Sequence, residues 1–279
     1  MLNASPTIYD ADSPRRCLNF IWLPLKFAVP NQTYYDPIPP EYLQNAVKSG
    51  MNNPDVDVYL WVDSKRLTSR QLTFLEGNTL GNLTISNLRT IDGYSKEPLF
   101  QQEDETFNWR QNKHSLIWRQ VDAARILICL HTLANYDQVF YADMDIVPLN
   151  VKSARIQSAL FNHGIILAGN INQIGQVRHE NQMFGFDSKQ RGFFEILYSD
   201  TLRDATKDRP VNGHPALVHL IDREFKNIDL KSILYTPEFI NIPSYHPASE
   251  HPQHAKQNPQ ARPWATAFKK IRELACPPL

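Results

Sequence analysis

Residues 138–149 read Gln-Val-Phe-Tyr-Ala-Asp-Met-Asp-Ile-Val-Pro-Leu, an apolar run that leads directly into two carboxylates separated by one residue. The residues before the first carboxylate, 138–142, predict a buried strand. In extended backbone, side chains two residues apart project to the same face, so we expect Asp143 and Asp145 to converge on one point. That point would lie at the carboxyl end of a central strand, where open α/β sheets bind their ligands.

The paired aspartates predict a metal site. Carboxylate oxygens are the ligands that Mg²⁺ and Mn²⁺ prefer, together with phosphate oxygens and water. Paired acids also occur on solvated turns, but two acids that enter a buried strand repel each other and need a compensating cation. A divalent ion at this position would neutralise a diphosphate leaving group as a sugar departs.

The rest of the chain predicts alternating strands and helices. Strands are expected over 18–23, 56–62, 83–91, 138–142, 164–169 and 182–186, and helices over 41–49, 69–76, 114–134, 191–203, 215–225 and 265–275. The strand–helix–strand order up to residue 91 implies a parallel sheet with helices on its faces. The length of 279 residues suits a single domain, expected over 17–279 after a flexible leader at 1–16. The segment 237–264, rich in Pro and His, is either a linker or, as we expect, a loop that closes over the site.

Composition argues against several classes of protein. The 29 basic residues balance the 29 acidic ones, so no overall field would gather a polyanion, and we expect no nucleic-acid partner. No stretch offers the ~20 consecutive apolar residues of a transmembrane segment. Three widely spaced cysteines suggest neither a disulfide framework nor a cysteine-based zinc site. We expect a monomer in a reducing, cytosol-like compartment.

Several further segments form an ordered series along the chain. They are Asn-Phe-Ile-Trp at 19–22, Asn-Pro-Asp at 53–55 with Tyr-Leu-Trp-Val-Asp at 59–63, Val-Asp-Ala-Ala-Arg at 121–125, Tyr-Ala-Asp-Met-Asp at 141–145, Glu-Asn-Gln-Met-Phe at 180–184 and Asn-Gly-His-Pro-Ala-Leu at 212–217. This series resembles the glycosyltransferases that contain a DXD sugar-binding motif, the clan of clostridial glucosylating toxin domains and Och-type mannosyltransferases. The resemblance implies a GT-A-like, Rossmann-type mixed sheet flanked by helices in a single domain.

The chain departs from that family in two places. The family usually has Gly-Gly-x-Tyr before the acids, whereas residues 136–141 here read Tyr-Asp-Gln-Val-Phe-Tyr. The Gly-Gly that follows the first Trp in the toxin-like members is replaced by Leu23 and Pro24. These changes weaken assignment to a subfamily more than assignment to the clan.

The resemblance implies roles for individual residues in binding the donor. Trp22 would stack on the uracil of a UDP-sugar, Asp122 would accept from sugar hydroxyls, and Arg125 would grip a phosphate or a hydroxyl pair. Asp143 would contact the ribose or sugar, and Asp145 would bind the metal directly. The other donor-binding residues implied in this way are Ile21, Asp63, Tyr141, Glu180, Asn181 and Trp264.

Each of these roles has a structural alternative. Trp22 could be a plain core tryptophan. Asp122 and Arg125 could form an exposed ion pair between residues three apart on a helix. Glu180 could be a buried glutamate in an edge strand.

Two carboxylates do not complete the coordination shell of a metal. In the resembled family a further ligand comes late in the chain, from a loop that ends at a Trp. The corresponding segment here offers His246, His251 and His254 ahead of Trp264. Imidazole suits Mn²⁺ better than Mg²⁺. We expect His254, with His251 in reserve, to join the two aspartates, unless the segment is only a polar surface loop.

These features predict a metal-dependent glycosyltransferase that moves a hexose or N-acetylhexosamine from a nucleotide sugar to a protein or glycan. The resemblance implies retention of the anomeric configuration and a UDP-linked donor. The acceptor stays open between a protein of a host cell, modified in the host cytosol by a secreted, toxin-like effector, and a bacterial surface polysaccharide built on the cytoplasmic side.

Two other functions stay open. Residues 143–147 could be the nucleophile motif of a haloacid-dehalogenase-type phosphatase, although that family places the motif near the chain start and needs a later Gly-Asp motif. The chain could also be a catalytically inactive module that keeps the pocket and binds the nucleotide sugar.

Overall fold

A computed structural model of the chain describes residues 13–24, 26–29, 32–35, 38–79, 81–102, 116–146, 149–171, 177–205, 213–229 and 232–235. Its strands are β1 (Arg16–Trp22), β2 (Lys26–Val29), β3 (Gln32–Tyr35), β4 (Asp57–Val62), β5 (Leu83–Asn87), β6 (Gln138–Ala142), β7 (Ile165–Ile171), β8 (Val177–Asp187) and β9 (Leu234–Tyr235). Its helices are α1 (Pro40–Asn52), α2 (Ser69–Asn78), α3 (Asp92–Lys96), α4 (Pro98–Gln101), α5 (Leu116–Thr132), α6 (Ala154–His163), α7 (Arg191–Ala205) and α8 (Gly213–Glu224).

A seven-stranded sheet in the order β5-β4-β1-β6-β8-β7-β9 lies at the centre of the fold. The strands β5, β4, β1 and β6 pair in parallel, whereas β8 runs antiparallel to both of its neighbours, β6 and β7. The short β2 and β3 form a separate antiparallel pair. The expected fold class is confirmed as a Rossmann-type mixed sheet flanked by helices.

The sheet separates two apolar cores. Alternate residues of β6 face opposite sides, so Val139 and Tyr141 join the first core and Phe140 and Ala142 the second. Residues of α5, α7 and α8 complete the first core, and residues of α1 and α6 complete the second. Burial on both faces explains why β6 reads as a continuous apolar run rather than as an alternation of apolar and polar residues.

Most predicted elements are present, with shifted ends. The strand expected over 83–91 ends at Asn87, whose side chain accepts a hydrogen bond from Arg89 N at 3.1 Å. The first helix, expected over 41–49, continues to Asn52, so Gly50 lies inside α1. A Cβ at this position would come within 2.5 Å of Asn82 Oδ1, so the absence of a side chain allows a close approach there.

Two other expectations concern the ends of the chain. The first strand begins at Arg16, one residue before the expected start of the domain. The loop expected at 237–264 and the helix expected at 265–275 lie outside the described residues. None of the helices within the described ranges combines the length and the apolar character that crossing a membrane requires.

The pairing between β8 and β7 is irregular near the carboxyl end of β6. The pairing of β8 with β7 passes from Leu167–Phe184 directly to Ala168–Glu180, so residues 181–183 have no partner in β7. Such a bulge bends a strand and redirects its side chains. Because Met183 still pairs with Ala142, the last residue of β6, the bulge lies beside the carboxyl end of β6.

Candidate active site

The paired aspartates lie in a turn at the carboxyl end of β6, and we call residues 143–146 the acidic turn. Asp143 N donates to Gln182 O at 2.7 Å, and Ile146 N donates to Asp143 O at 3.4 Å. The expectation that extended backbone brings both side chains to one face is wrong, because the strand ends at Ala142 and the chain then turns. The two carboxylates are still close enough for the charge of Asp145 to raise the pKa of Asp143.

Arg125 of α5 is the cation that the described part of the site contains, and this residue is only 6% exposed. Its Nη2 lies 3.1 Å from Asp122 Oδ1, and its Nη1 lies 3.6 Å from Asp143 Oδ1. The guanidinium also lies over the ring of Tyr141, 5.1 Å from the ring centroid. Burial opposes the charged form, but Tyr141 and the surrounding aspartates raise the pKa of Arg125 above its usual value. The alternative of an exposed helix ion pair is wrong, because Arg125 is buried and the side chain of Asp122 is only 15% exposed.

The surroundings of Asp143 raise the pKa of its carboxyl group. Tyr141 Oη donates to Asp143 Oδ1 at 2.5 Å. Burial raises the pKa of Asp143 to about 6; Arg125 lowers the pKa, whereas the charges of Asp145 and Asp122 raise it. Within the described residues, three carboxylates thus act on the Arg125 guanidinium. A bound cation would stabilise the ionised form of these carboxylates.

Asn181 connects β8 to the same group of residues. Its Nδ2 donates to Asp122 Oδ1 at 2.9 Å, and its carbonyl oxygen accepts from Arg125 Nη1 at 2.6 Å. Both contacts depend on the bulge in β8, which gives Asn181 no partner in β7. The structure thereby brings together five residues that the sequence pointed to, namely Asp122, Arg125, Tyr141, Asp143 and Asn181.

Trp22 lies at the edge of the sheet where β6 also ends, because β1 and β6 run parallel as neighbours. Its ring is partly buried, packs on the second core and meets Tyr42 edge to face, with 6.2 Å between ring centroids. Trp22 Nε1 is buried and has no hydrogen-bond partner within the part of the chain that the structure describes. Ile21, the residue before it, is buried in the first core.

Asp63 follows β4 and is enclosed by donors from the protein itself. Arg89 Nε and Nη2 donate to its two oxygens at 2.9 and 2.7 Å, and Tyr94 Oη donates at 3.0 Å. Lys65 N adds a hydrogen bond at 3.0 Å, and Arg66 Nε lies 3.6 Å away. Burial opposes ionisation, but the hydrogen bonds from Arg89 and Lys65 N keep the pKa of Asp63 below its ordinary value. A donor-binding role for Asp63 stays a prediction.

We expect Asp63→Asn to destabilise the protein near neutral pH and to make it less sensitive to acid. Because the folded-state pKa of Asp63 lies below the ordinary value of 3.8, its ionised form stabilises the fold above that value, and this contribution is lost as the pH falls through the folded-state pKa. Near neutral pH the variant leaves Arg89 and Arg66 without their counter-charge, at a cost of about 3–5 kcal/mol. Urea unfolding near pH 7 and near pH 3 measures both effects.

A matched control for this experiment is Glu195→Gln, which removes an exposed carboxylate that pairs with Arg191 at 2.8 Å. Exposed pairs of this kind contribute little to stability, so we expect the control to unfold like the wild type at both pH values. An Asp63→Asn variant whose stability falls as steeply with acid as that of the wild type would contradict the prediction.

The remaining predicted site residues are only partly covered by the structure. Glu180 lies in β8 opposite Ala168, but its side chain lies outside the described residues. His251, His254 and Trp264 also lie outside them, so their roles stay predictions. Within the described ranges, no group of three or more His, Cys, Asp or Glu could hold a metal. The two aspartates of the acidic turn suit an ion that takes its other ligands from phosphate and water.

One residue that contacts the acidic turn, Asn45, belongs to none of the sequence motifs described above. Asn45 of α1 donates from Nδ2 to Met144 O at 2.8 Å and also to Ile146 O. Its only signal in the sequence is a polar residue between apolar ones, next to Ala46 and Val47, which are buried in the second core.

Comparison with known proteins gives a distant likeness. No family model matches the chain, and no curated protein matches it. Among solved structures, the chain is similar to PaToxG glycosyltransferase, with 15% identity over 78% of this chain and 73% of that chain and a TM-score of 0.46. A protein described only as a transferase has 15% identity over 82% and 92% of the two chains and a TM-score of 0.49. Mouse xyloside xylosyltransferase 1 in its apo form has 10% identity over 80% and 84% and a TM-score of 0.43. At these values the likenesses decide nothing about function, which has to come from the chain's own residues.

Proposed function

We propose that the chain is a metal-dependent glycosyltransferase that transfers a hexose or N-acetylhexosamine from a nucleotide sugar, expected to be UDP-linked, to a protein or glycan. The observation that carries the proposal is the grouping of three carboxylates around buried Arg125 at the carboxyl end of β6. The ordered sequence segments that resemble the DXD glycosyltransferases support the same assignment.

The charge of the site favours a ligand that brings a cation and an anion together. Among the described residues, the charges of Asp122, Asp143 and Asp145 act together on the charge of Arg125. A divalent ion would stabilise the ionised aspartates, and a diphosphate would supply oxygen ligands that two aspartates leave open. The chemistry that such an ion supplies is to withdraw charge from the diphosphate as the sugar leaves.

The geometry suggests a division of roles among the residues. We assign Asp145 to direct metal binding, and Asp143 to the metal and to the ribose or sugar. Tyr141 and Arg125 both contact Asp143 and so hold its carboxylate in place. Asp122, whose side chain is 15% exposed, would accept from sugar hydroxyls while Asn181 fixes its orientation. Trp22 would offer its ring to the base.

We assign no covalent nucleophile. The retention implied by the resemblance would then follow from attack by the acceptor on the same face of the sugar from which the diphosphate leaves. Arg125, as a fixed positive charge beside the acidic turn, would stabilise the charge that develops on that leaving group.

A donor screen tests the proposal. The full chain is incubated with UDP-glucose, UDP-galactose, UDP-N-acetylglucosamine or GDP-mannose, with Mn²⁺, Mg²⁺ or a chelator, and the products are identified by mass spectrometry. We expect one donor to release its nucleoside diphosphate only when the metal is present. Release of phosphate from phosphate monoesters without any nucleotide sugar would support the phosphatase instead. Calorimetric binding of a nucleotide sugar without turnover would support the inactive module, and neither binding nor turnover would overturn the proposal.

A further inference from the structure

A buried asparagine of α1, Asn45, forms hydrogen bonds to the backbone of the acidic turn. Asn45 is 4% exposed, and its Nδ2 donates to Met144 O at 2.8 Å and to Ile146 O. These two carbonyl groups belong to the residues on either side of Asp145. A single side-chain amide therefore bridges the backbone around the residue that we assign to the metal.

A second asparagine, Asn53, lies directly after α1 and forms hydrogen bonds to the backbone that follows the acidic turn. Asn53 is fully buried; its Nδ2 donates to Leu149 O at 2.5 Å and to Ser49 O at 2.7 Å, and its Oδ1 accepts from Val151 N at 3.0 Å. The helix and its cap are thus joined by side-chain amides to the backbone on both sides of residues 147–148.

Asn45 is a polar residue on the otherwise apolar buried face of α1, which suggests that its side chain has a role beyond packing. The buried face of α1 supplies Leu43, Ala46 and Val47 to the second core, and an apolar residue would ordinarily occupy such a face. A buried amide lowers stability unless it is hydrogen-bonded, and the bonds of Asn45 run to the acidic turn. The side chains of Met144 and Ile146 are themselves buried in the second core, which leaves Asp145 between two fixed residues.

We propose that Asn45 is a positioning residue that fixes the backbone on both sides of Asp145 and so pre-orients its carboxylate for a divalent metal. This inference rests on the function proposed above. Fixing both neighbouring carbonyl groups removes backbone freedom at Asp145 before the ion arrives, and a residue ordered in advance binds more tightly. Groups that orient metal ligands in this way typically change metal affinity by about 10- to 100-fold when they are replaced.

The test compares Mn²⁺ binding by the full chain, measured from the electron paramagnetic resonance signal of free Mn²⁺, in the wild type and in Asn45→Leu. Leucine has the same number of side-chain heavy atoms and the same branching at Cγ as asparagine but cannot donate to the two carbonyl groups, so we expect binding to weaken about 10- to 100-fold. In the metal-free protein, the amide hydrogen of Ile146, which donates to Asp143 O, should exchange faster with solvent in the variant.

Ser49→Ala is the matched control. Ser49 is also buried on α1, but its Oγ donates to Asn45 O at 3.0 Å, within the helix, rather than to the acidic turn. We expect this variant to lose stability without losing Mn²⁺ affinity. If Asn45→Leu does not fold, Asn45→Gln takes its place, because the added methylene displaces the amide from the carbonyl groups; we expect it to bind Mn²⁺ several-fold more weakly than the wild type.

Asp145→Asn separates this inference from the proposed function. If Asp145→Asn loses Mn²⁺ binding but Asn45→Leu keeps wild-type affinity and wild-type exchange at Ile146, only the positioning role is overturned. If the wild type binds no Mn²⁺, or Asp145→Asn binds it as tightly as the wild type, the metal site fails and the positioning role fails with it.

Discussion

Asp145→Asn is expected to abolish metal-dependent hydrolysis of the nucleotide-sugar donor while changing the stability of the metal-free protein only slightly. Asparagine keeps the size of the side chain and removes the charge that the ion requires, so we expect kcat/KM to fall by about 10³-fold or more. The charge of Asp145 has two opposing effects, since it raises the pKa of Asp143 by repulsion and the pKa of Arg125 by attraction. We therefore expect its removal to change the stability of the metal-free protein only slightly.

Two measurements test this result together. Donor hydrolysis is followed at saturating Mn²⁺, and thermal unfolding is followed in the presence of a chelator. Asp92→Asn serves as the control, since Asp92 has a side chain that is 86% exposed and pairs with Lys96 on the surface. We expect the control to keep full activity. Full activity of Asp145→Asn, or of Asp145→Ala, would refute the assignment of the metal to the acidic turn.

The local pattern of the sequence was sufficient to predict the central strand and the position of the acids. The apolar run stops where the carboxylates begin, and β6 has the bounds that this run predicts, 138–142. The turn after Ala142 could not be read from the same pattern, since an acid can continue a strand or leave it. The structure shows that the bonds to Asp143 N and to the carbonyl group of Ile146 come from β8 and α1, far away in the sequence.

The pairing of β8 lies beyond local sequence reasoning for a similar reason. The residues 182–186 predict a strand, but neither its full extent, Val177–Asp187, nor its bulge leaves a local signature. Which strand a segment pairs with, and in which register, depends on packing against partners that are distant in sequence. The contact of Asn181 with Asp122 depends on that bulge, and only the resemblance to known glycosyltransferases pointed to Asn181 beforehand.

The sequence predicts that Asp122 and Arg125 of α5 lie close together, but it does not predict that they are shielded from solvent. Asp122 and Arg125 lie three residues apart, and helical geometry brings them together as expected. The pair is buried because the bulged segment of β8 and the acidic turn cover it, which the sequence of α5 does not reveal. Asn45 was missed altogether, since its partner Met144 lies 99 residues away.

We expect substitution of Arg125 to have large effects on both stability and activity. Arg125→Met should lower the free energy of unfolding by about 3–5 kcal/mol, because the partly buried carboxylates of Asp122 and Asp143 lose the cation that they face. It should also lower kcat/KM by about 10²- to 10³-fold, since Arg125 both holds Asp143 and stabilises the leaving group. Arg125→Lys keeps the charge, but one ammonium group cannot replace a planar fork that contacts Asp122, Asp143 and Asn181 O together. We expect it to fall between the wild type and Arg125→Met in both measurements.

A double variant distinguishes the loss of charge compensation from a simple loss of packing. In Arg125→Met combined with Asp122→Asn, one of the carboxylates that faced the guanidinium loses its charge, so the double variant should be more stable than Arg125→Met alone without regaining activity. Urea unfolding of the four proteins in a chelator, analysed as a double-mutant cycle, gives the interaction energy between the two residues. Independent effects on stability would show that the ion pair is not what stabilises this part of the fold. Unchanged kcat/KM in Arg125→Met would remove Arg125 from the site, because a fixed positive charge beside a departing diphosphate cannot be lost without slowing the reaction.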